Sequence, residues 1–192
     1  MRTGTPWKGG LHMRRLRAFF HNRRGFSLVE LMVVIAIMGV AIGVVTTSLS
    51  VVFSNDAREC ANDIDAMIAR TKVSAMSRTG NVYMKIENGS DGIYVKYYEG
   101  SSAVPAVTER IGRSRVAITC SYTTNLATTT LPLPVCLKFS RTTSALQYVG
   151  KDAPTASSKT PNLTGDVTIA CACGGKTYTV SIVPSTGSHR VS

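Results

Sequence analysis

Arg23-Arg24-Gly25-Phe26-Ser27-Leu28-Val29-Glu30 runs straight into fifteen residues, 31–45, that carry neither a charge nor a hydrogen-bonding side chain. A basic pair, a small residue and then a hydrophobic helix with one carboxylate near its start make an unusual junction. An ionisable side chain within a membrane segment costs about 2.5–3.5 kcal/mol on insertion scales, so Glu30 demands a functional reason. An ordinary signal anchor selects against such an acid. A cleaved secretory signal has an apolar region of only about 7–15 residues ending at a small-x-small site, whereas this one continues into a longer helix.

Outward from the junction, residues 26–52 are apolar apart from Ser27, Glu30 and a patch at Thr46, Thr47, Ser48 and Ser50. At about 1.5 Å per residue this is long enough to span a bilayer. The pattern then turns amphipathic without a break. Ala57, Cys60, Ala61, Ile64, Ile68, Thr71 and Ala75 recur at helical spacing, with Arg58, Glu59, Asp63, Asp65, Arg70 and Lys72 between them. No proline lies between 26 and 78, and Gly80 is well placed as the stop. The spacing predicts one helix of roughly 50 residues. Its first half, 26–53, is apolar enough to stand in lipid, and its second half, 54–79, packs on a domain. Gly39 and Gly43 form a G-x-x-x-G in the apolar run. They read either as a close helix–helix contact face or as weak points costing about 0.8–1.0 kcal/mol of propensity each.

From residue 81 the period changes to two. Strands are expected over 81–87, 93–99, 115–122, 135–140, 145–149, 167–173 and 177–183. Residues 88–92 and 174–176 supply hairpin chemistry. Residues 123–134 and 151–164, rich in Thr, Ser, Pro and Asn, are expected as exposed loops. The fold class is therefore α+β: one long N-terminal helix on an antiparallel β-rich domain over 80–192.

The junction resembles the class III signal of type IV prepilins and of the pseudopilins of type II secretion and DNA-uptake machines. In that family a membrane peptidase cuts after the glycine and methylates the new N-terminal residue. The resemblance implies cleavage after Gly25, methylation of Phe26, and Glu30 as the family's assembly glutamate, fifth in the mature chain. It also implies a pilin-like fold, a removable leader over 1–25, and prepilin peptidase, other pilin subunits and the cytoplasmic membrane as partners. Ala69-Arg70, Ser74-Ala75, Arg78-Thr79-Gly80 and the following Val-x-Met-x-Ile strand look like minor pseudopilins of the H type. The implied role is a structural subunit of a pilus, secretion or DNA-uptake filament. The alternative is an uncleaved, single-pass, membrane-anchored extracytoplasmic binding protein.

A formal net charge of +11 invites a nucleic-acid reading, but seven of the 22 basic residues lie in 1–25, where no acid occurs. From Phe26 onward 15 basic residues face 11 acidic ones, a net of +4. Most of the asymmetry thus sits where the positive-inside rule wants a cytoplasmic leader. Met13 is an alternative start that keeps the arginines next to the junction. Two basic groups remain in the mature chain: Lys176, His189 and Arg190, and Arg110, Arg113 and Arg115. Some minor pilins of DNA-uptake systems bind DNA through a basic C-terminal region, so DNA is a candidate partner; a solvated basic surface is the simpler reading.

The orientation puts all five cysteines, Cys60, Cys120, Cys136, Cys171 and Cys173, outside the cytoplasmic membrane, where disulfides persist. Five is odd, and spacing does not rank the connectivities. Cys120 with Cys136 is the favoured pair if neighbouring strands bring them together; otherwise the thiols are small apolar core groups. Catalysis has little to stand on. His189, near the C-terminus, is the only histidine beyond the leader, and a nucleophile–imidazole unit needs a rigid frame. Cys171 and Cys173 lack zinc spacing, and Cys173-Gly174-Gly175-Lys176 lacks phosphate-loop spacing. No enzyme activity, metal or cofactor is expected.

Overall fold

The computed structural model describes residues 27–100 and 102–192, without the side chains of 45–51. Helix α1 runs Leu28–Ser77, 50 residues. The long apolar-to-amphipathic pattern without proline is thus realised as one helix. Gly80 follows its end at φ +117°, a conformation that costs other residues a steric penalty. The chain divides within α1 into two units, one through Val45 and one from Thr46.

In the second unit α1 is followed, among the described residues, by ten strands. They are β1 (Tyr83–Asn88), β2 (Gly92–Tyr98), β3 (Val107–Arg113), β4 (Ala117–Thr123), β5 (Thr128–Pro132), β6 (Val135–Phe139), β7 (Leu146–Gly150), β8 (Val167–Cys173), β9 (Lys176–Ile182) and β10 (His189–Val191). They form two five-stranded sheets, β3-β2-β1-β6-β7 and β10-β9-β8-β4-β5. Every pairing is antiparallel. The α+β class holds, with the helix packed on two sheets.

The core follows from alternation. β8 buries Val167, Ile169, Cys171 and Cys173 and turns Thr168, Ala170 and Ala172 outward. To the same core α1 contributes Ala57, Cys60, Ala61, Ile64 and Ile68, all fully buried. Small residues over 57–61 leave room for close packing, and the isoleucines at 64 and 68 fill the core beyond. Burying one such isoleucine contributes about 1.5–3 kcal/mol. Thr71, the polar member of the stripe, is buried and returns its hydroxyl to the Met67 carbonyl at 2.7 Å.

Three strands depart from the sequence reading. β3 is absent from the expected set, β5 lies inside the segment 123–134 read as loop, and β10 lies beyond 177–183, the last strand expected. All three are sheet edges. An edge strand needs only one bonded neighbour and little buried side chain, so its hydrophobic alternation is weak. β3 buries only Ile111, and β5 buries nothing fully. The 151–164 segment is irregular as expected, but it is pinned. Asn81 Nδ2 donates to the Pro154 carbonyl at 2.6 Å, and Lys138 Nζ donates to the Thr155 and Ala156 carbonyls at 2.8 and 2.6 Å. Burial holds the Lys138 ammonium below its usual range, with Lys159 adding repulsion.

Candidate functional site

In the first unit the Leu31 N–H donates to the Ser27 carbonyl at 3.1 Å, closing the first turn. Glu30 lies in that turn, where a carboxylate meets the positive end of the helix dipole. Around and beyond it, twelve large apolar side chains from Leu28 to Val44 are exposed, between 40% at Val34 and 72% at Leu28. Gly39 and Gly43 are four residues apart and so share a helix face. A Cβ at either position would meet nothing within 4 Å. The sites Gly25 and Phe26 lie outside the described residues. Among the described residues no helix is long and apolar enough to cross a membrane. The expected span over 26–53 draws on Phe26 and on the side chains of 45–51, which also lie outside the description.

In the second unit the anticipated basic groups are dispersed or already paired. Arg115 forms an ion pair with Asp56 of α1 and lies over the Phe53 ring, 5.1 Å from its centroid. Arg113 Nε is 3.9 Å from the same carboxylate. Arg110 pairs with Asp91 at 3.5 Å and donates to its backbone carbonyl at 3.0 Å. Lys176 opens β9, whereas Arg190 pairs with Ser181 near that strand's other end. Five residues of strand, roughly 17 Å at the usual rise, separate the two positions. His189 instead faces α1, its Nε2 3.8 Å from Asp65 Oδ1. Beside these pairs, Asp63 lies near Glu59 and Glu109, and Glu109 Oε2 is 3.9 Å from Arg70 Nη1. Burial, then Glu59, then Glu109, raise the Asp63 carboxyl above its ordinary range.

All five cysteines are buried and unbridged. The expected Cys120–Cys136 bridge is not formed, because the two residues stand on β4 and β6, in different sheets. Burial pushes the Cys120 thiol up to about 12 and the Cys136 thiol to about 11. Cys171 and Cys173 share the inner face of β8, the arrangement of two core thiols. Among the described residues no group of three His, Cys, Asp or Glu side chains is placed to hold a metal ion.

Residues 20–46 match the family model of the prokaryotic N-terminal methylation motif. The match covers the cleavage junction, Glu30 and the two glycines of the apolar run. With the α+β fold it supports a type IV pilin-like or pseudopilin role, and it implies processing by prepilin peptidase and assembly with other pilins. No curated protein and no solved structure matches the chain.

Proposed function

We propose that this chain is a minor pilin or pseudopilin, a non-enzymatic subunit of a filament serving a type IV pilus, type II secretion or DNA uptake. One observation carries the reading: the methylation motif at residues 20–46 coincides with a helical stretch whose apolar side chains through Val44 lie exposed, while the second unit closes its core between the strands and the amphipathic half of α1. Residues 26–53 anchor the precursor in the cytoplasmic membrane, with the β domain on the extracytoplasmic side. The peptidase cuts after Gly25 and methylates Phe26. On extraction into the filament the apolar half of α1 joins a bundle of like helices, and Glu30 pairs with the amine of Phe26, its own or a neighbour's. Opposite charges that are each costly in apolar surroundings become tolerable together.

The test is the N-terminus and intact mass of membrane-extracted protein, with and without co-expressed prepilin peptidase. The expected product starts at Phe26 and carries one added methyl group. A leader retained despite active peptidase would instead identify a single-pass anchored binding protein.

A further inference from the structure

A cavity of about 240 Å³ lies where the last turns of α1, the approach to β1, the turn between β6 and β7 and the 151–164 segment meet. Its polar lining consists of Asn81, Lys138, Ser140, Arg141, Thr142 and Gln147, which bring two cations and no acid. Alternation along β6 sends Leu137 and Phe139 into the core and Lys138 to the other face, where only 6% of it is exposed. A lysine so deeply buried ordinarily faces a carboxylate. Lys138 has none: it donates to the Thr155 and Ala156 carbonyls, and among the described residues it forms no ion pair. Two of the three donors of its ammonium are thereby used. Burial, then repulsion from Lys159, hold that ammonium below its usual range, the direction expected of a buried cation without a counter-charge.

The neighbouring groups on the β6–β7 turn have the same character. Arg141 is exposed and, among the described residues, pairs with no carboxylate. Ser140 is buried, and its hydroxyl lies 3.2 Å from that of Thr142. The turn therefore adds a guanidinium and two hydroxyl donors to the ammonium.

We propose that this cavity is a binding site for a small tetrahedral oxyanion of the phosphate class, held by Lys138, Arg141 and the hydroxyls of Ser140 and Thr142. The anion supplies the counter-charge that the lining lacks. Hydrogen bonds to an ionised group are about twice as strong as neutral ones, and a guanidinium fork matches two oxygens of such an anion while an ammonium meets it as a point charge. Size narrows the ligand. The cavity holds several times the roughly 30 Å³ share of one water, yet it falls below the about 300–1,000 Å³ of pockets for drug-sized molecules. Inorganic phosphate with a few waters fits that range.

The test uses the full chain in a phosphate-free detergent, with sodium phosphate exchanged for sodium chloride at constant ionic strength. Saturable binding with Kd on the order of 1 mM is expected, read from broadening of the phosphate ³¹P resonance. Tm is expected to rise with phosphate and not with chloride. Arg141→Gln alters an exposed side chain, so it is expected to melt as the parent does in chloride and to bind phosphate about tenfold more weakly. Lys138→Met is expected to lose the phosphate response altogether, and Arg141→Gln keeps the test independent of how well that variant folds. Equal responses to phosphate and chloride in the parent, or binding that Arg141→Gln leaves unchanged, would overturn the proposal and leave Lys138 as a clasp for the 151–164 segment alone.

Discussion

Lys72, late in α1, donates from Nζ to the carbonyl of Gly187 at 2.6 Å, clasping the turn before β10 to the helix. Gly187 sits at φ +64° and its N–H returns to the Val183 carbonyl at 2.7 Å, so the turn presents its oxygen in one direction. Hydrogen bonds from charged groups contribute about 1.5–3 kcal/mol, less where partly solvated. Lys72→Met is therefore expected to cost about 1–2 kcal/mol. β10 pairs only with β9 and should open first. Its amides are expected to exchange roughly tenfold faster than in the parent, with the central strands changing less. Unchanged protection in β10 would mean that the ladder with β9 alone holds the tail.

Asp56 is the shared partner of Arg113 and Arg115, and its side chain is only 10% exposed. It thereby offsets one of the two charges that would otherwise form a basic surface with Arg110. The full chain is expected not to bind duplex DNA at about 50 mM salt, where non-specific phosphate contacts are still strong. Asp56→Asn should release both guanidinium groups and give weak binding that falls steeply with added salt. Salt-dependent binding by the parent chain, measured by fluorescence anisotropy, would restore DNA as a native partner.

The helix and central strands were legible because their periods are driven by burial. Ile64 and Ile68 repeat at four, and Val167, Ile169 and Cys171 alternate at two, since each has a core face and a solvent face. The edges lack that driving force. Thr128–Pro132 reads as loop because none of its side chains is fully buried, and only its pairing with β4 makes it a strand. The junction of Gly25, Phe26 and Glu30 was readable as contiguous chemistry, and the motif match falls on it. The placement of Lys176 and Arg190 was not readable, because the two are near in sequence but stand toward opposite ends of one hairpin.

Asp63 gives the fold a pH dependence of definite sign. Its carboxyl is raised from the ordinary 3.8 by burial, then by Glu59 and Glu109. A carboxyl that holds its proton more readily in the folded chain stabilises the fold at acid pH and gives that up as pH rises through its folded value. Glu87 acts oppositely. Hydrogen bonds from Lys85 and Lys96 lower it, so its contribution is present above the unfolded value and lost as pH falls through the folded one. Asp63→Asn is expected to stabilise the chain at neutral pH by roughly 0.5 kcal/mol, less in high salt. The gain should vanish below the ordinary Asp value of 3.8, where the parent is neutral in both states. A gain that persists there in thermal melts would point to a packing effect and not to charge.

Glu30 is the sharpest test of how the chain assembles. Its carboxylate sits in the first turn of α1 among exposed Leu28, Val29, Leu31 and Met32. For membrane insertion this acid is a burden of about 2.5–3.5 kcal/mol, so Glu30→Ala should insert at least as well as the parent. In an apolar bundle the same acid is tolerable only beside a cation, and the amine that the proposed cleavage after Gly25 would release at Phe26 is close in sequence. Removing the acid leaves that amine unpaired, and removing one partner of a buried pair costs about 3–5 kcal/mol. Glu30→Ala is therefore expected to be processed and retained in the membrane fraction, while its share in sheared filaments falls at least tenfold. Glu30→Asp, which keeps the charge on a shorter arm, should fall between the two. Normal incorporation of the alanine variant would remove the charge-pair mechanism while leaving the processing site intact.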